Sequence, residues 1–390
     1  VIGALLPDRR IIVSAGPGGV GKTTVAAALS ALAARSGRRT LVATIDPAPR
    51  LADAIGLPNL GAEATAVPPE ICATLGVPAG ALHAARIDTA LSFRRLVEAE
   101  SPDAEMRRRI FENPIYRQMT TTLTGSQEYA AMVALHDFHA SGRFDLIVLD
   151  TPPTANALDF LDTPRRIAEA VESPALSWFA RPADGGRFSL RRLRSGGALL
   201  VQRVGKFVGS HFLDDLGAFL GDFQGVLGGF LRRAQTVEAL LRRPDTGFLL
   251  VLAPELPAVN EALVFYERLK QAGLRLDAFV ANRVLPAPGL EALGMVEALG
   301  QTPRFSSWSA NEKAAVEAAF LPTVAYLQRA AEAQARELER LQGRAHGVPI
   351  VTLPLLPHEA SSLTALHTLG NQLSGRATTP ATGTPTGLSA

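Results

Sequence analysis

The apolar run Ile11–Ala15 passes directly into Gly16-Pro17-Gly18-Gly19-Val20-Gly21-Lys22-Thr23-Thr24, and a helical pattern follows over Thr24–Arg35. This is G-x-x-x-x-G-K-[ST] in the strand–loop–helix setting that the pattern requires. Glycines let a backbone close around an anion with its N–H groups pointing inward. A helix that starts near Lys22 adds its positive dipole end. Lys22 brings a point charge for the β- and γ-phosphates, and Thr23 brings a hydroxyl for Mg²⁺. The segment therefore predicts a nucleotide site.

Other short apolar runs are spaced like strands: Thr40–Asp46, Leu82–Asp88, Phe144–Asp150, Gly247–Ala253, Asp277–Asn282 and Val348–Leu353. Most are continuously apolar, which suits parallel strands covered on both faces. Helical patterns such as Pro257–Ala272 lie between them. The alternation predicts an α/β fold, a doubly wound and mostly parallel sheet. Two intervals break the rhythm. Leu57–Tyr129 holds one plausible strand and much helix, and Pro164–Arg243 holds no strand. Both read as helical insertions forming a subdomain. The division is a core of 10–56, 82–88, 140–163 and 244–373, with insertions at 57–81, 89–139 and 164–243. Asn311–Arg340 reads as a long helix bent or broken near Pro322, and residues 376–390 as a disordered tail.

Two apolar strands end in aspartate, at Asp46 and Asp150. Strand C-termini face the ligand crevice of a doubly wound sheet, which places both carboxylates near the phosphates. Asp150 follows four apolar residues, the pattern of an aspartate that holds Mg²⁺ through water. Asp46 is placed to orient or deprotonate an attacking water. The alternative for either is a cap on the following helix.

Composition narrows the partners. With 39 basic against 37 acidic residues, the formal charge of +2 gives no reason to expect nucleic acid. The single cysteine, Cys72, excludes a disulfide framework or a Cys-pair metal site within one chain and suits a reducing, cytoplasmic compartment. No run reaches 18 uninterrupted apolar residues, so no integral membrane segment is expected, and Val1–Leu6 is too short for a secretion signal.

The stretches GGVGKTT, IDPAPRLADA, DTPPTANALDFLDTP, NRV and LPLLPHE occur in an order that resembles the ArsA/GET3 ATPases, across roughly Arg10–Leu373. That family couples ATP hydrolysis to anion export or to targeting of tail-anchored membrane proteins. The resemblance implies Mg²⁺-ATP on Gly18, Gly19, Val20, Gly21, Lys22, Thr23 and Thr24. It implies that Asp46 is the switch residue activating water and that Asp150 opens the second switch. It assigns Asn282 to adenine and the turn at Pro354 and Pro357 to closing the adenine pocket. It further implies a homodimer with a membrane-protein client or a membrane transporter subunit as partner.

The chain departs from the family in three ways. Pro17 stands where the family's loop usually has a signature lysine. No cysteine pair is present to bridge two protomers with zinc, and Cys72 alone cannot replace the three cysteines of an arsenite site. Arsenite export is therefore not expected.

Phe207, Phe212, Phe219, Phe223 and Phe230 recur at helical intervals in the second insertion. They read either as a groove for a client helix or as the core of the helical subdomain. Two other functions share the loop. A ParA/MinD-like spatial organiser needs a membrane-binding terminal helix or a basic DNA surface, and the tail offers neither. A non-hydrolysing ATP-binding module is favoured by Pro17 alone.

Overall fold

A computed structural model describes residues 2–117, 126–151, 210–286, 308–345, 347–356 and 362–375. One eight-stranded sheet organises them, in the order β3-β4-β2-β5-β1-β6-β7-β8. The strands are β1 (Ile11–Ala15), β2 (Thr40–Thr44), β3 (Thr65–Ala66), β4 (Leu82–Arg86), β5 (Leu146–Asp150), β6 (Thr246–Leu252), β7 (Leu276–Val284) and β8 (Ile350–Pro354). All pairings are parallel except β3 with β4. The fold is a doubly wound α/β sheet with an inserted helical subdomain.

Continuous apolar strands arise because both faces are covered. Along β1, Ile12 joins one core while Ile11, Val13 and Ala15 join the other. The first core packs the sheet against α1 (Lys22–Arg35), α2 (Arg50–Ile55), α3 (Pro69–Leu75) and, near the C-terminus, α10 (Leu363–Leu373). The second packs it against α6 (Ser126–Ala140), the end of α7 (Ser210–Leu241), α8 (Leu256–Gln271) and the end of α9 (Ala310–Arg344). Burial of the Val, Leu, Ile and Phe side chains among them, at about 1.5–3 kcal/mol each, is the main favourable term holding helices to sheet.

A third core belongs to the helices alone. It joins α4 (Thr89–Glu100) and α5 (Ala104–Glu112) to α6 and α7 through Phe93, Leu96, Ile110, Tyr129, Phe223 and Phe230. Aspartates start α4 and α5: Asp88 accepts from the Leu91 amide at 2.8 Å, and Asp103 from the Met106 amide at 2.7 Å. Helices α6 and α7 contribute to both the sheet core and the helical core. They are thus continuous rods from the sheet into the subdomain.

Three expectations meet a clear answer here. The interval Leu57–Tyr129 contains a second strand, β3, two exposed residues paired antiparallel to β4. It carries no hydrophobic pattern because neither side chain is covered. Helix α9 runs unbroken through Pro322 over 35 residues. One missing backbone bond does not stop a helix with a capping box at Ser309 and Glu312, its last turn buried at Leu341 and its C-cap buried at Ala345. Phe219, Phe223 and Phe230 are buried core residues and do not line an open groove. The Phe230 ring stacks on Tyr129 with centroids 3.5 Å apart. Phe207, the residues following Thr151 up to 209, Pro357 and the tail from 376 lie outside the described residues.

Candidate functional site

The glycine-rich loop lies between β1 and α1, at the point where the sheet order reverses around β1. Such switch points are where open α/β sheets leave a crevice at the strand C-termini. Two glycines have no substitute here. Gly16 has φ +147°, and a Cβ there would lie 1.9 Å from the Val251 carbonyl oxygen of β6. Gly21 has φ +93°, and a Cβ there would lie 2.4 Å from Asn282 Nδ2. Gly21 is also the N-cap of α1, with no side chain capping the helix. The first-turn amides of Lys22, Thr23 and Thr24 therefore have no helical acceptor and form a positive end suited to an anion. Gly18 and Gly19 are exposed at the loop tip, and Val20 is buried beneath them.

Lys22 is buried, and its Nζ donates to the Pro17 carbonyl across 2.8 Å. Burial pushes its pKa down, while the charges of Asp150, Glu261 and Asp46 oppose the shift. The ammonium is thus held inside the loop by a backbone acceptor that a polyphosphate oxygen can replace.

Asp150 ends β5 next to this loop. Its Oδ2 accepts from Thr23 Oγ1 at 2.7 Å and from Thr44 Oγ1 at 2.9 Å. Its Oδ1 is buried with no hydrogen-bond partner. Burial pushes the carboxyl up to about 6, against the two hydroxyl bonds and the Lys22 charge. A buried carboxylate oxygen without a donor is costly. A hydrated cation removes that cost, and the neighbouring Thr23 hydroxyl, which gives its proton to Asp150, keeps lone pairs for the same ion. These donors are hard oxygens, the set that Mg²⁺ prefers. The residues present therefore fit Mg²⁺.

Asp46 lies two residues beyond β2. Its amide donates to Thr44 Oγ1 at 3.2 Å, its Oδ1 accepts from the Ala48 amide at 2.9 Å, and its Oδ2 pairs with Arg50 at 2.8 Å. Pro49 is the N-cap of α2, so Asp46 shapes the turn before that helix and does not cap it. Thr44 was not among the residues singled out in the sequence. It joins the Asp46 turn to the Asp150 carboxylate through one hydroxyl. The only trace it leaves is a polar side chain inside an apolar strand.

Asn282 is buried near the end of β7, and its Nδ2 donates to the Val20 carbonyl at 2.8 Å. It sits in an irregularity of the β7–β8 pairing, between Ala281 and Val284. The next residue, Arg283, has φ +62°, the one positive φ outside glycine among the described residues. Gln334 of α9 braces this kink, accepting from the Leu285 amide at 2.8 Å. The kink aims Asn282 at the loop, as irregular pairings near sites commonly do. Pro354 pairs with Val284 across the same irregularity, so it borders the position of Asn282.

The family described as anion-transporting ATPase matches residues 9–176. A putative arsenical pump-driving ATPase of Aquifex aeolicus is 25% identical over 285 residues, covering 71% of this chain and 64% of that protein. An uncharacterized protein of Streptomyces coelicolor is 30% identical over 278 residues, covering 71% and 63%. These matches support membership of the ArsA/GET3-like P-loop ATPase family. An ATPase GET3 of Malassezia globosa is 25% identical over 279 residues, covering 71% of this chain and 74% of its own length. The chain spans just under two thirds of the first two relatives, at 64% and 63% of their lengths. Membership of the family implies nucleotide binding. Among the described residues, no helix is long and apolar enough to cross a membrane.

Proposed function

We propose that the chain is a Mg²⁺-dependent ATPase that works as a homodimer and uses the nucleotide cycle to move its helical subdomain. The observation that carries the reading is the buried Asp150 Oδ1 without a donor, beside Thr23 at the start of α1. A carboxylate left in that state serves a ligand.

The amides of Gly18 to Thr24 and the Lys22 ammonium bind the triphosphate, with Lys22 exchanging the Pro17 carbonyl for phosphate oxygen. Thr23 and, through water, Asp150 would hold Mg²⁺, which when bound neutralises charge on the phosphate oxygens. Asp46 orients the attacking water and accepts its proton as the new oxygen–phosphorus bond forms and the bond to ADP breaks. Asn282 and Pro354 border the adenine. Phosphate release relaxes the turn after Asp46. Helices α4 and α5 then shift with α6 and α7, which act as the connecting rods. The partner is a membrane-protein client or a transporter subunit, in the cytoplasm.

Calorimetry tests the site. The unsubstituted chain is expected to bind Mg²⁺-ATP, Lys22→Ala to lose binding, and Asp46→Asn to keep binding but lose turnover. Normal turnover by Asp46→Asn would remove the water-activating role. Proteins co-purifying with ATP-loaded Asp46→Asn would identify the client.

A further inference from the structure

We propose that Gln334 is a positioning residue for base recognition: its side-chain amide clamps the kink after Asn282 and so sets the preference for adenine over guanine. The inference rests on the ATPase reading above and assigns a role to a side chain of α9, a helix that reading does not use.

The sheet order puts the two ends of a bound nucleotide on opposite sides of β1. Strands β5 and β2 lie on one side, with Asp150 at the end of β5 and Asp46 just beyond β2, and β6, β7 and β8 lie on the other. A triphosphate in the loop, with its metal at Thr23 and Asp150, points its base towards β7 and β8. Asn282 is a buried amide on that side, and its Nδ2 donates to the Val20 carbonyl at 2.8 Å. A carbonyl only accepts, so this bond fixes which end of the amide is nitrogen. Fixing matters because an amide carries both a donor and an acceptor. A freely turning amide pairs equally with the amino group of adenine or with the carbonyl at the same ring position of guanine. An amide held in one orientation discriminates between them.

Regular pairing does not hold Asn282 in place. The β7–β8 register slips between Ala281 and Val284, and Arg283 has φ +62°. That region is disfavoured for a residue with a Cβ, and it persists only where neighbours over-determine it. Gln334 supplies two ties across the kink. Its Oε1 accepts from the Leu285 amide at 2.8 Å, and its Nε2 donates to the Arg283 carbonyl at 3.4 Å. Strand β8 adds a third, from the Leu355 amide to the Val284 carbonyl at 2.9 Å. One side chain thus bridges both neighbours of Val284, the residue that pairs with Pro354.

The position of Gln334 on α9 points the same way. Ala331, Gln334, Leu338, Leu341 and the C-cap Ala345 recur at intervals of three and four. Ala331, Leu341 and Ala345 are buried. Such a stripe calls for an apolar residue at 334. An amide stands there instead, and both of its polar ends are bonded to the kink.

The test compares two bases. Calorimetry in excess Mg²⁺ measures non-hydrolysable ATP and GTP analogues on the unsubstituted chain, Gln334→Met and Gln334→Glu. Methionine keeps the length and helix propensity of the side chain and removes both bonds, whereas glutamate keeps the acceptor for the Leu285 amide. The unsubstituted chain is expected to prefer the ATP analogue, Gln334→Met to lose about tenfold of that preference, and Gln334→Glu to keep part of it. Circular dichroism checks that the variants fold; were Gln334→Met unfolded, Gln334→Glu alone decides, by a preference below that of the unsubstituted chain. A purely structural role would weaken both analogues equally, and an unchanged ratio of affinities overturns the inference. No preference in the unsubstituted chain overturns it too, while nucleotide binding stands. Failure of the unsubstituted chain to bind either analogue overturns the ATPase reading itself, and the inference with it.

Discussion

Thr44 donates its hydroxyl proton to Asp150 Oδ2 across 2.9 Å, and its oxygen accepts the Asp46 amide at 3.2 Å. One side chain therefore ties the turn after β2 to the carboxylate at the end of β5. Thr44→Val keeps the shape and removes the hydroxyl, leaving Asp150 with one donor in place of two. Apparent Mg²⁺ affinity, read from magnesium titrations of a fluorescent ATP analogue, is expected to fall about tenfold or more, with recovery in Thr44→Ser. If valine behaves like threonine, the hydroxyl relay has no functional weight.

Gly21→Ala tests the contact between loop and β7. The new methyl would lie 2.4 Å from Asn282 Nδ2, at a backbone φ of +93°. Strain of about 1–3 kcal/mol is expected from the φ alone. Urea denaturation should show that loss, and calorimetry should show nucleotide binding lost with it.

The other end of the sheet carries a buried ion pair with no part in the site. Arg9 Nε and Asp277 Oδ2 are 2.6 Å apart, with side chains 5% and 3% exposed. Removing one partner strands a buried charge. Asp277→Ala is expected to cost about 3–5 kcal/mol, and the double change Arg9→Met with Asp277→Leu to recover most of it. Denaturant midpoints of the three proteins decide this, and nucleotide affinity of the folded fraction should not change.

Phe230→Ala distinguishes core from docking surface. The ring is buried against Tyr129 and Phe93. Its loss should destabilise the helical layer by about 3–5 kcal/mol. Hydrogen exchange would show faster opening of α4 through α7 while the sheet stays protected. Unchanged exchange would mean that the ring is not part of a cooperative core.

Acid stability should carry the mark of Asp145. Side-chain and backbone hydrogen bonds from Arg39 hold its carboxyl down at about 2. A folded pKa below the unfolded value of about 3.9 gives stability that is present above that value and lost as pH falls through 2. The side chains are 54% and 39% exposed, so Asp145→Asn should cost no more than about 1 kcal/mol at pH 7. The difference in urea midpoint between the two proteins is expected to shrink steadily from pH 5 towards pH 2. A constant difference would separate Asp145 from the acid response.

Local chemistry made much of the molecule readable from its residues. Runs such as 11–13 and 146–149 are continuously apolar because each alternate side chain enters a different core. Gly16, Gly21, Lys22 and Thr23 form a contiguous loop whose purpose depends on backbone freedom and one charge, both properties of neighbours in sequence. What only the folded chain decided lies between distant segments. β3 has no pattern of its own and exists because β4 offers it hydrogen bonds. Asn282 meets Val20 across 262 positions, and Thr44 meets Asp150 across 106. Phe223 and Phe230 have the same periodicity whether they line a groove or fill a core, and the packing of α4 and α6 against them settled which. Periodicity records which face of an element is apolar; the partner covering that face is chosen by tertiary packing.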